Sequence, residues 1–209
     1  ILDGRKSCTR RINKDANDYV VPDMDFYDSD KRTYAVHNYA DKEHKIKLST
    51  AERTCPICPG DILYVRGAWC MYGKIDDFDH IIEGTDKYYY LADGATPYNC
   101  FLVHRNGYDE YKDTPVWHPS IHMPKESARI WLKVTNVRVE RLQDITPEQI
   151  SREGIGVEHP YLNDNEKRYV FSNLWDSTIK KSDPDRYGWD ASPWVWVIEF
   201  ERCEKPETL

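Results

Sequence analysis

Arg5, Lys6, Arg10 and Arg11 crowd four cations into positions 5 to 11 of a chain whose formal net charge is -7. A protein gripping a long polyanion presents a broad basic face that neutralises several phosphates, and the overall field here opposes that. The cluster is a local patch, suited to a small substrate or to one flipped nucleotide rather than to a long duplex. Seven tryptophans supply flat surfaces on which bases stack in single-strand binders. Trp117, Trp175 and Trp189 lie in or beside loops and are the stacking candidates. Trp194 and Trp196 belong to an alternating run and are expected in the core.

Two further constellations have ligand chemistry. Cys55-Pro56-Ile57-Cys58 carries two thiols at the spacing of half a zinc site, but no second close Cys/Cys or Cys/His pair accompanies it, and His80, His104, His118 and His122 are dispersed. The motif is expected to be a structural turn before Pro59-Gly60-Asp61. His118, Ser120 and His122 lie in the proline-bounded loop Trp117-His-Pro-Ser-Ile-His-Met-Pro124, where they can line a cleft. Two alternate histidines lack a third ligand, so hydrogen-bonding roles are expected, with no metal and no cofactor.

Hydrophobic residues make up 40% and charged residues 31% of the 209, the balance of a soluble globular protein. No apolar run approaches the roughly 20 residues of a membrane span. Ile1-Leu2-Asp3-Gly4 has neither the basic end nor the apolar stretch of a secretory leader. The six cysteines read as reduced thiols of a cytoplasmic protein. The length suits one domain over 1–209, with insertions at about 12–54 and 70–116.

The elements that must position the basic cluster follow from pattern. Gly4 ends a helix and a strand follows to Arg11. The polar, Tyr-rich stretch 12–54 holds one hairpin. Ile62-Leu-Tyr-Val-Arg66 is a strand, and 70–116 holds two or three hairpins, with Tyr88–Leu91 and Tyr98–Val103 as its best strands. Ala128–Leu142 alternates with a change of phase near Thr135-Asn136, which signals one strand with a bulge or a bent pair. Thr146-Pro147 with Gln149 marks a capped helix start, and that helix runs to about Glu153 before Gly154. Phe171–Ile179 is a second short helix, with Phe171, Leu174 and Trp175 on one face. Pro193–Phe200 closes the chain as a strand buried on both sides. Low helix content around long strands predicts a mainly β (α+β) fold, a small β-barrel plugged by a few short helices.

At Gly4-Arg5-Lys6-Ser7-Cys8-Thr9-Arg10-Arg11 the sequence resembles ASCH domains of the PUA-like superfamily, which carry Gly-x-Lys-x-x-(Glu or Thr)-x-Arg there. Gly4, Lys6, Thr9 and Arg11 match in the Thr form. Pro59–Arg66, Trp117–Pro124, Ala128–Ile130, Val137–Asp144, Glu153-Gly154, Leu174–Asp176, Trp189–Ala191 and Pro193–Trp196 are similar to the phage and prophage group of that family. Gly67 stands where that group usually has Glu, and the two insertions lie outside the resemblance.

The resemblance implies a nucleobase-handling domain. Some single-domain members are amidohydrolases that deacetylate N4-acetylcytidine, with a Lys, a Thr and a Glu as catalytic set; these map onto Lys6, Thr9 and Glu153. A Thr hydroxyl needs a nearby base to become a nucleophile, which assigns that work to Lys6, its ammonium form disfavoured by Arg11 and partial burial. Glu153 protonates the leaving amine, and Arg11 or a backbone amide holds the oxyanion. In a strand, Lys6 and Thr9 point to opposite faces, so they converge only if the chain turns between them. Arg5, Arg11, Trp117, His118, Ser120, His122 and Trp175 are the expected substrate contacts, and the partner is a nucleoside or a single nucleotide of RNA or DNA. A non-catalytic RNA or modified-DNA binder and a ribonuclease are the alternatives; an exposed aromatic patch on 70–116 would mark a protein-binding surface instead.

Overall fold

The computed structural model describes residues 6–74, 76–77, 82, 84–94, 101–105, 108–112, 115–156 and 161–207 (of 101–105 and 108–112, the backbone). The chain forms two compact units: Ile1–Leu63 with Leu132–Cys203, and Tyr64–Trp131 with Glu204–Leu209.

β1 (Cys8–Ile12), β5 (Ile62–Tyr64), β10 (Trp131–Arg141) and β11 (Trp194–Cys203), all but Tyr64 and Trp131 in the first unit, make a sheet in the order β1-β11-β10-β5, strongly curled into a half-barrel. With 37% strand against 22% helix, the protein is mainly β with a few helices, as its pattern predicts. β1 is an edge strand, antiparallel to β11 with Thr9 opposite Ile198, Arg10 opposite Val197 and Arg11 opposite Trp196. Because side chains alternate along a strand, this register sends Cys8 and Arg10 to the face of Val197, and Thr9 and Arg11 to the face of Trp196 and Ile198. β11 is buried on both faces from Val195 to Ile198, as its doubly apolar pattern requires. β10 is one continuous strand, and its change of phase is real: Leu132 and Val134 are buried, Thr135 and Asn136 exposed, Val137 buried again.

Three helices follow β10: α1 (Pro147–Arg152), α2 (Asp164–Thr178) and α3 (Pro184–Tyr187). α1 begins on the expected capping box of Thr146 and Gln149 and gives way at Gly154, whose φ of 92° suits a residue without Cβ. α2 starts seven residues before the expected Phe171. Its first half is polar, so periodicity cannot reveal it; the signal is the cap, where the Asn163 side chain and Glu166 satisfy each other's free amides. α2 buries Phe171 and Trp175 against Leu142, Ile145, Ile150, Val195 and Val197.

The 12–54 stretch is a three-stranded meander rather than one hairpin: β2 (Val20–Asp28), β3 (Thr33–Tyr39) and β4 (Lys47–Thr54). β4 is exposed along most of its length, so it lacks the apolar alternation that announces a strand. Tyr34 packs edge-on to Trp196 at 5.0 Å, and Arg32 pairs with Asp61 through two bonds of 2.7 and 2.8 Å.

In the second unit, β6 (Trp69–Tyr72), β7 (Lys87–Tyr90), β8 (Phe101–Arg105) and β9 (Tyr108–Lys112) form a sheet in the order β7-β6-β8-β9. The strands expected at Tyr88–Leu91 and Tyr98–Val103 correspond to β7 and β8, though Tyr98–Cys100 lie outside the described residues. Among the described residues, no helix is long and apolar enough to cross a membrane.

Candidate functional site

Lys6 sits immediately before β1, where Ser7 bridges two elements: its N–H donates to the Arg152 carbonyl at 2.9 Å, and its carbonyl accepts from Phe200 N–H at 2.9 Å. That anchorage lays Lys6 over the end of α1. A Cβ added at Gly154 would lie 3.5 Å from the Lys6 Cβ. The Lys6 Nζ donates to Glu153 Oε2 at 2.6 Å and to the Glu153 carbonyl at 3.0 Å. The other carboxylate oxygen accepts from Arg10 Nη1 at 3.1 Å. Side-chain exposure is 27% for Lys6 and 6% for Glu153, so the carboxylate is enclosed and reaches solvent chiefly through the lysine.

Arg10, 1% exposed at its side chain, is the hub of this arrangement and is absent from the sequence-derived set. Its Nε and Nη2 donate to Glu140 Oε1 at 3.1 and 2.5 Å, and Nη2 also to Gln149 Oε1 at 3.0 Å. Arg138 then joins Glu140 at 3.2 Å to Glu199 at 2.6 Å, and Arg152 reaches Glu199 at 3.1 Å. The result is a chain of alternating charges: Lys6, Glu153, Arg10, Glu140, Arg138, Glu199, Arg152. Burying a charge is tolerable only with hydrogen-bonded partners of opposite sign, and each link supplies one. Burial pushes the Glu199 carboxyl up, but the bonds from Arg138 and Arg152 outweigh it and hold the group below its ordinary value. The available sequence signal for Arg10 was parity: it shares a strand face with Cys8, and an arginine on an inward face demands carboxylates.

Lys6, Arg10 and Glu153 of this chain border a cavity of about 460 Å³, within the size range of small-molecule sites. Lys6, Thr9, Arg11 and Glu153 give it a polar end; Ile12, Phe171, Leu174, Trp175 and Ile179 form an apolar wall. Trp175 spends its indole N–H on the Tyr187 carbonyl at 2.8 Å, so the ring itself is what it presents. The Thr9 hydroxyl oxygen accepts from Arg11 Nη1 at 2.9 Å, and the same nitrogen donates to the Arg10 carbonyl at 2.8 Å. Lys6, Thr9, Glu153, Arg11 and Trp175 are thus brought to one hollow from positions as far apart as 6 and 175.

No family model matches this chain, nor does any curated protein or solved structure.

The other expected contacts are placed differently. Arg5 lies outside the described residues. Trp117, His118, Ser120 and His122 belong to the second unit and do not line this cavity. There, His118 stacks on Trp69 at 4.6 Å and exchanges backbone hydrogen bonds with it, and Trp117 packs on Tyr89 at 5.8 Å. Ser120–His122 form a single 3-10 turn.

Cys55 and Cys58 form the expected turn. Their thiols donate to the Ile57 and Cys55 carbonyls, at 2.8 and 3.6 Å, and Cys58 N–H donates to Asp61 Oδ2 at 2.9 Å. Burial, then the neighbouring Cys58, pushes the Cys55 thiol up to about 12. The described residues include no group of three or more His, Cys, Asp or Glu placed to hold a metal ion.

Proposed function

We propose that this protein is an ASCH-type, PUA-like domain that takes a nucleobase into the Lys6–Glu153 cavity and hydrolyses the amide of an N4-acylated cytidine. The observation that carries this reading is the 2.6 Å contact between Lys6 and Glu153 at the polar end of a cavity that Thr9 and Trp175 also line. An apolar wall with a few convergent polar groups is how a flat, polar-edged ligand is oriented.

The chemistry follows from proton exchange within the pair. In the resting site, Lys6 is an ammonium facing a carboxylate. Transfer of one proton across their short contact yields a neutral amine and a carboxylic acid. The amine takes the proton of the Thr9 hydroxyl as its oxygen attacks the acyl carbon, with Arg11 steadying the negative charge that develops on the acyl oxygen. Glu153 gives its proton to the departing N4 as the C–N bond breaks. The ammonium–carboxylate pair is restored, and the acyl group is left as an ester on Thr9 for water to cleave. Glu153 therefore acts as an acid only after receiving the lysine's proton. Arg11 serves the oxyanion, while Arg10 holds the acid.

One observation favours a second, non-catalytic reading: at rest Lys6 and Glu153 neutralise each other, and the Thr9 oxygen already accepts a hydrogen bond, which suits a binder as well. Either way the reduced thiols fit a cytoplasmic setting. Titrating the protein with a panel of modified nucleosides while assaying turnover separates the two. Hydrolysis of acylated cytidines that disappears in Lys6→Ala supports the enzyme; saturable binding without turnover supports the reader; neither removes both.

A further inference from the structure

A second cavity, of about 310 Å³, shares Arg11 and Ile12 with the first and continues past them to Lys14. Both cavities are built by the first unit. The second one lies against the Trp196 and Ile198 face of the sheet, with Pro56 and Ile57 of the Cys55–Cys58 turn opposite. Its charged groups are Arg11, Lys14 and the single carboxylate Asp15. Arg11 spends Nη1 on the Thr9 hydroxyl and the Arg10 carbonyl, and among the described residues its Nε and Nη2 hydrogens carry no bond. A guanidinium held by one nitrogen and open at the other two is suited to a tetrahedral oxyanion, and Lys14 adds a second cation beside Asp15 and the apolar Ile57, Val137, Trp196 and Ile198.

We propose that this groove takes a phosphate of the nucleotide whose base occupies the first cavity, so that the preferred ligand is a nucleoside monophosphate rather than a nucleoside. The inference rests on the first cavity being a base site. Two cations against one carboxylate suffice for a single phosphate, and the net charge of -7 offers nothing to a longer polyanion.

The test is calorimetric titration of the wild type and Lys14→Ala with cytidine, its 5′- and 3′-monophosphates, a cytidine-containing dinucleoside monophosphate and inorganic phosphate, beside hydrolysis of N4-acetylcytidine. One monophosphate should bind about tenfold or more tightly than cytidine, the scale of a hydrogen bond to a charged group. Lys14→Ala should erase that margin and leave cytidine binding unchanged. The two monophosphates tell which end of the nucleotide enters, and the dinucleotide tells whether the phosphate is read within a strand. Equal affinity for cytidine and both monophosphates overturns the groove while sparing the base site. Lys14-dependent phosphate binding without cytidine binding or hydrolysis keeps the groove and overturns the base site. Failure of every ligand overturns both.

Discussion

A guanidinium with 1% of its side chain exposed keeps its charge because Glu153, Glu140 and Gln149 surround it, and the same bonds fix the carboxylate that Lys6 meets. Replacing Arg10 by Met would leave Glu140 and Glu153 enclosed and short of a cation. The expected loss is about 3–5 kcal/mol, the cost of breaking a buried pair from one side, read as a lower denaturant midpoint at unchanged slope. Glu153→Gln keeps the shape but leaves Lys6 and Arg10 one anion short, so stability is expected to fall along with turnover, which denaturation and hydrolysis measured on one preparation would show. The meeting of Lys6, Thr9 and Glu153 at one cavity was expected only through the resemblance of residues 4–11 to a family signature. Arg10 was not, because its importance depends on which face of β1 turns inward, and only the pairing with β11 sets that.

At the scale of elements, the site depends on where α1 stops. Thr146 caps its start and Gly154 ends it, so Glu153 is presented at a fixed height over Lys6. Thr146→Ala removes the side-chain acceptor for the Gln149 amide and is expected to cost about 1 kcal/mol. Gly154→Ala places a Cβ at φ 92°, a strain on the order of 1–2 kcal/mol, beside Lys6 at ordinary contact distance. Its melting temperature should fall and its turnover should fall with it, whereas Thr146→Ala should affect turnover less. α1 could be read from sequence because its cap and terminator are local chemistry. The first half of α2 and the exposed β4 could not, since neither shows apolar periodicity and each is held by neighbours distant in sequence.

For the whole molecule, the mainly β class was legible from the long alternating runs now seen in β10 and β11, while the meander β2–β4 emerges only through packing such as Tyr34 on Trp196. Acid stability is a property at this scale. The Arg32 hydrogen bonds hold the Asp61 carboxyl below its ordinary 3.8, and the Arg138 and Arg152 bonds do the same for Glu199 against its burial. A depressed carboxylate binds fewer protons folded than unfolded, so stability rises with pH through the window between the two values. The contribution is complete above the ordinary carboxylate range and is lost as pH falls below it. Arg32→Gln should flatten that acid limb, as denaturant midpoints taken from neutral pH down to below 3.8 would reveal.

Release of cytidine from N4-acetylcytidine, followed for the wild type beside folded Lys6→Ala and Thr9→Ala variants, puts the catalytic assignment to trial. Release by the wild type that drops about a hundredfold or more in each variant, the scale of a lost proton-transfer group, is the expected result. Absence of release, or variants as fast as the wild type, contradicts a Lys6–Thr9–Glu153 machine.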